Sequence, residues 1–202
     1  MLMRVLAAML ITATLLAATN CASTPTVDAR STRLIIPAND LPTTDIDGRT
    51  LPKGKRATGY LFVGPECPIS RAYCPELARI AARDEERGIS WIMIFSEYDI
   101  SAETIRTFQR EYSMTLPAVT DSSQKFACEL GAQIIPSVVV LDPNHNVMYR
   151  GRIDDRYKGL GVSYGPPTKR DLADVVDAIA DGHPLPYAST TAVGCVLPRC
   201  AP

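Results

Sequence analysis

Trp91, Ile92, Met93 and Ile94 follow one another without a polar break inside the stretch Ile89–Phe95. A strand with one wet face alternates, whereas a strand covered on both faces does not, so this run belongs inside a layered structure. A shorter run of the same kind, residues 59–63, precedes it. Between the two, residues 70–87 carry Ala72, Leu77, Ile80 and Ala81 on a helix that Gly88 closes as a C-cap. Covered strands joined through a helix point to an α/β layer fold.

The rest of the chain extends that pattern. Residues 44–51 contain a hairpin-type Asp47-Gly48 turn, and Ser101 opens a helix reaching about Tyr112. A short strand is expected over 116–119, then a short helix from Ser122 or Ser123 to Leu130, ending at Gly131. Residues 137–141 and 146–151 read as a strand pair across Asp142-Pro143-Asn144-His145. Thr168 is expected to cap a last helix, 169–180, stopped by Asp181-Gly182.

With 202 residues, 46% of them hydrophobic, the chain suits one domain with a real core and is short for two. Its net charge of −1, with no block of like charges, gives no footprint for nucleic acid. Arg4 and the nearly unbroken apolar run 5–18 have the shape of a secretory signal and are too short to span a bilayer comfortably. The division expected is a signal over 1–22, a linker over 23–31, a domain over 32–186 and a cysteine-containing tail over 187–202.

Ala18-Thr19-Asn20-Cys21 is similar to a lipobox, with Asn20 where a small residue is usual. Either Cys21 is lipidated, or cleavage falls near Ala18 or Ala22. The protein is thus expected in the bacterial cell envelope, periplasmic or membrane-tethered, with a lipid anchor as its only membrane contact. Outside the cytosol disulfides persist. Without Cys21 the chain has five cysteines, Cys67, Cys74, Cys128, Cys195 and Cys200, and an odd number leaves at least one unpaired.

Cys67 sits where Tyr60-Leu61-Phe62-Val63 breaks through Gly64-Pro65-Glu66 into the first helix. That puts a thiol on a helix's first turn, at the exposed edge of the sheet, where unpaired N–H groups and the helix dipole favour a thiolate. The dipole contributes ~0.3–1 kcal/mol, under about one pKa unit. Stronger activation needs a cation or direct hydrogen bonds; Arg71, Arg150, Arg152 and Arg156 are the cations to consider, and Glu66 opposes them.

Residues 62–70, Phe-Val-Gly-Pro-Glu-Cys-Pro-Ile-Ser, resemble the active-site turn of thioredoxin-like proteins. Residues 131–140, with Pro136 before Ser137-Val138-Val139-Val140, resemble the segment carrying their cis-proline, and the spacing from Cys67 suits the family. The resemblance covers about 33–182 and is best with redoxins of the alkyl hydroperoxide reductase and thiol-specific antioxidant type. Residues 150–157 and 191–195 resemble an exported bacterial subgroup of them. It implies a thioredoxin fold, a central mixed β-sheet flanked by helices, with no cofactor. It also implies Cys67 as nucleophile and a cis Pro136 beside it, shaping an edge for an extended thiol substrate.

Two departures matter. Ser70 stands where a thioredoxin has its second cysteine, and Gly64 where a peroxiredoxin has Thr or Ser. Any second thiol must therefore come from elsewhere. Cys74 lies ~10.5 Å along the helix, beyond the ~7 Å limit between disulfide Cα atoms. Cys128, among Phe126, Ala127 and Leu130, reads as a buried inert thiol. Cys195 follows Gly194 in the tail. Either that tail folds back and delivers Cys195 to Cys67, or Cys195 and Cys200 close a local loop; the first is carried forward as the expectation.

Copper-delivery proteins of this fold use two cysteines four apart plus a histidine, a pair this chain lacks; His145 and His183 read as surface residues, so no metal is expected. The function expected is thiol–disulfide exchange or thiol-dependent peroxide reduction. The partners would be a thiol or disulfide protein or a peroxide, plus an external thiol reductant. The rival reading is a redoxin-fold scaffold or binding module without turnover.

Overall fold

The structure, a computed structural model, describes residues 34–160, 162–163 and 165–198. The expected signal, Cys21, the linker and Cys200 lie outside the described residues. The elements are β1 (Ala57–Phe62), α1 (Pro68–Glu85), β2 (Ile89–Phe95), α2 (Ala102–Glu111) and β3 (Ala118–Thr120), then α3 (Lys125–Leu130), β4 (Ile134–Ile135), β5 (Ser137–Leu141) and β6 (Val147–Gly151). There follow β7 (Tyr157–Gly159), β8 (Val162–Ser163), α4 (Asp171–Asp181) and β9 (Cys195–Val196).

The main sheet runs β3-β2-β1-β5-β6. β1, β2 and β3 are parallel, and β5 and β6 join antiparallel, giving the mixed sheet of a thioredoxin fold. Register sets the faces. Tyr60 and Phe62 lie beside Ile92 and Ile94, and both aromatic rings pack on Phe126 of α3, with centroids 5.1 and 6.0 Å apart. Trp91 and Phe95 point to the other face, since strand side chains alternate. There the Trp91 indole donates to Asp84 of α1 at 3.3 Å, and Phe95 meets Phe108 of α2 edge-on at 5.6 Å. The covering explains the unbroken apolar sequence: Met93, Ile94 and Phe95 have no exposed surface.

α1 begins at Pro68, two residues earlier than the sequence suggests, because proline's fixed φ and missing N–H suit the first helical position. α3 also departs from expectation. It begins at Lys125, after a left-handed Gln124, and no side chain of Gln124 caps it. Asp121 serves instead: its buried carboxylate accepts from the Phe126 and Ala127 N–H groups and from the Ser96 hydroxyl.

Thr168 does not cap α4, which starts at Asp171. The Asp155 carboxylate takes the Thr168 and Lys169 N–H groups and the Thr168 hydroxyl, so that hydroxyl is committed as a donor. Those bonds hold the Asp155 carboxyl down at about 2.

Beyond α4 the chain returns along the sheet. Ser189 bridges to Arg150 of β6, and the Thr190 hydroxyl bonds Tyr149 Oη and the Arg152 N–H. Two strand residues then pair antiparallel with β4, Cys195 opposite Ile135 and Val196 opposite Ile134. What the sequence presents as a tail is a tethered strand.

Asp121→Ala leaves two helix N–H groups and Ser96 without their charged acceptor. It should cost about 3 kcal/mol in urea unfolding, with Asp121→Asn recovering part of the loss.

Candidate functional site

Cys67 is the N-cap residue of α1, with extended backbone (φ −86°), and its N–H closes a turn onto the Gly64 carbonyl at 3.2 Å. It is 1% exposed. The expectation of a thiol on the first turn, at an open edge, is corrected on both counts. The thiol sits one position before the helix, and β4 and β9 cover it: its sulfur lies 3.4 Å from the Ile135 carbonyl and 2.9 Å from Cys195 Sγ.

Pro136 separates β4 from β5, and the Ile135–Pro136 peptide bond is cis. Gly194 lets the last strand come this close. A Cβ there would stand 1.9 Å from the Ile135 carbonyl oxygen, so a side chain would push the strand off. Beyond the pair, the Leu197 N–H donates to Gln133 O at 2.9 Å, fixing the strand on its other side.

The two thiols differ electrostatically. Burial alone would raise Cys67, but hydrogen bonds from the Cys195 side chain and from the Ser70 backbone and hydroxyl outweigh it, and the thiol falls below the ordinary cysteine value. Ser70 thus stabilises the thiolate from the position a thioredoxin gives to its second cysteine. Its hydroxyl also accepts the Gly64 N–H at 3.2 Å. Cys195 is pushed up to about 12, first by burial, then by its bond to Cys67 and the Cys67 charge, and last by the Glu97 carboxylate. Cys74 is likewise pushed up to about 12 by burial, and donates to the Ser70 carbonyl within its own helix.

None of the four arginines is a hydrogen-bond partner of Cys67. Arg152 is bidentate on Asp171, Arg156 pairs with Asp154 and covers the Tyr73 ring, Arg150 lies over Gly131, and Arg71 is exposed. Activation by hydrogen bonds, the other route considered, is what the geometry provides. Cys128 also departs from expectation: it is exposed on α3 and disulfide-bonded. The apolar neighbours that suggested burial, Phe126, Ala127 and Leu130, lie on the helix's inner side. His145 adopts a left-handed turn conformation and His183 is exposed. No group of three metal-ligating side chains gathers among the described residues.

Sequence reasoning missed Glu97. It follows β2 by two residues, and because β1 and β2 are parallel, it emerges at the same end of the sheet as Cys67. That shared end was the available signal.

The chain belongs to the redoxin family, whose model matches residues 19–160. Among solved structures, an uncharacterized conserved protein from Geobacillus kaustophilus is similar at 26% identity. The match covers 77% of this chain and 86% of that one, with a TM-score of 0.67. A hypothetical protein from Sinorhizobium meliloti 1021 is similar at 23% identity, over 77% and 88% of the two chains, also with a TM-score of 0.67. No curated protein matches the chain.

On a spectroscopic thiolate titration, one cysteine should ionise below the ordinary cysteine range, and that step should vanish in Cys67→Ser. Cys195 and Cys74 should stay protonated through about pH 10, two units below their values near 12.

Proposed function

We propose that this redoxin is an exported thiol–disulfide oxidoreductase working through Cys67 and Cys195. The observation that carries the reading is the sulfur pair, 2.9 Å apart, with Cys67 buried and lowered and Cys195 half-buried and raised. Attack needs a thiolate, and Cys67 is the thiol whose surroundings favour one. Its sulfur would attack a substrate disulfide, forming a Cys67–substrate mixed disulfide and releasing one substrate thiolate. Cys195 would then attack the Cys67 sulfur, forming the Cys67–Cys195 bond and releasing the second substrate thiol. The substrate disulfide gains two electrons, the cysteine pair loses two, and an external dithiol restores the pair.

Exchange is favoured over peroxide reduction because Gly64 supplies no hydroxyl where a peroxiredoxin has Thr or Ser. Export is supported by the apolar run 5–18 and by the disulfide at Cys128, a bond that persists in oxidising compartments. In this reading the N-terminal segment acts as an export signal that is cleaved before Cys21, and Cys21 becomes the site of a lipid anchor.

Turnover of a model disulfide should disappear in Cys67→Ser. In Cys195→Ser the mixed disulfide on Cys67 should accumulate, visible as an adduct by intact-protein mass spectrometry. Consumption of hydrogen peroxide faster than of any disulfide would overturn the exchange reading.

In the source cell, the processed chain should fractionate outside the cytosol. Fatty-acid labelling should follow it and be lost in Cys21→Ser; an unlabelled chain beginning past Cys21 would remove the anchor.

A further inference from the structure

The exchange cycle leaves one proton without a carrier. In the resting pair, the Cys195 thiol is turned toward the Cys67 sulfur, 2.9 Å away. Once Cys67 is bonded to substrate, that sulfur carries no charge and is a poor acceptor. Cys195 must nevertheless lose its proton to attack. Some other group has to take it.

The titratable groups around the pair come from a few elements. The β1–α1 turn offers Glu66, which is exposed; α1 offers Cys74, whose S–H is committed to Ser70, and Arg71, which is exposed. β4 and the start of β5, residues 133–137, carry none, and neither do residues 188–194. The end of β2 offers Glu97, whose carboxylate charge acts on the Cys195 thiol.

The space for that carboxylate is made by Gly64. A Cβ at residue 64 would stand 2.4 Å from Glu97 Oε1 and 2.7 Å from the Ile135 side chain. Gly64, Ile135 and Glu97 therefore share one small volume beside the cysteines. The Glu97 backbone is also held from behind. The preceding Ser96 donates its hydroxyl to Asp121 and accepts the Gln124 side-chain amide on its carbonyl, at 3.0 and 2.9 Å. The carboxyl is half-buried; burial raises it above its ordinary value, partly offset by the Glu66 N–H it accepts.

We propose that Glu97 is the general base of the second half-reaction: its carboxylate takes the Cys195 proton, directly or through one water, as Cys195 attacks the Cys67–substrate bond. The proton then passes to the departing substrate thiolate, so that each cycle returns Glu97 to its ionised form and releases a neutral thiol. Gly64, a departure from the peroxiredoxin pattern, becomes the residue that admits this base. The inference rests on the exchange reading of the same site.

The test separates the two half-reactions by rapid mixing of reduced protein with an aromatic disulfide. The first release of aromatic thiol reports attack by Cys67, and the second reports attack by Cys195. Glu97→Gln should slow the second release about 100-fold at neutral pH, in the range general bases contribute, and leave the first within a few-fold. In the wild type the second rate should rise with pH as Glu97 ionises, above the ordinary glutamate range, because the carboxylate form is the base. In Glu97→Gln that rise should be gone, with Glu97→Asp restoring it in part.

A purely structural role would lower the melting temperature or slow both releases equally without removing the pH step, and that outcome overturns the proposal. An unchanged second release in Glu97→Gln overturns it as well. If the wild type shows no second release at all, the two-cysteine cycle fails, and this inference fails with it. A working cycle with an indifferent Glu97 sinks the inference alone.

Discussion

Backbone pairing of two residues, Cys195 and Val196, with Ile135 and Ile134 sets the distance between the sulfurs. So short a pairing is weak by itself, and its position is secured on both sides. Thr190 ties the incoming chain to Tyr149 and Arg152, and Leu197 donates to Gln133. The Ile135 carbonyl is a shared centre: the Cys67 sulfur lies 3.4 Å from it, Gly194 packs against it, and Cys195 lies opposite it in the register. Disturbing that one peptide would move both thiols.

The electrostatics follow from the same closeness. Placing two thiols in contact makes one the hydrogen-bond donor to the other, so a single proton position lowers the acceptor and raises the donor. No cation is required. Hydrogen bonds in a largely buried setting, where they count for more than at the surface, lower the Cys67 thiol. The arginines that looked like candidates hold other joints: Arg152, just after β6, fastens the chain to α4 through Asp171, and Arg156 braces Asp154, which accepts from Tyr73 of α1.

The strands and helices were legible because hydrophobic order and turn residues are local signals. Ile89–Phe95 and Ser137–Leu141 come out with the bounds the sequence suggests. Cys67 and Pro136 were legible through the pattern around them. The errors fall where a distant group decides. Thr168 fails as a cap because Asp155, thirteen residues earlier, claims its hydroxyl. Cys128 was judged by its sequence neighbours, although a short helix puts adjacent residues on different faces. Burial of Cys67 was hidden for the same reason, since its cover comes from residue 195. Glu97 escaped notice because its importance comes from the space at Gly64, and an empty space has no sequence signature.

The strand that carries Cys195 has a second physical effect. An unpaired β4 would present open N–H and C=O groups next to the buried Cys67 sulfur, a template for strand addition by a neighbouring molecule. β9 saturates that edge with backbone from its own chain. The segment that brings Cys195 to Cys67 therefore also covers an edge open to self-association, and a chain that lost it would lose the sulfur pair and that cover in one step.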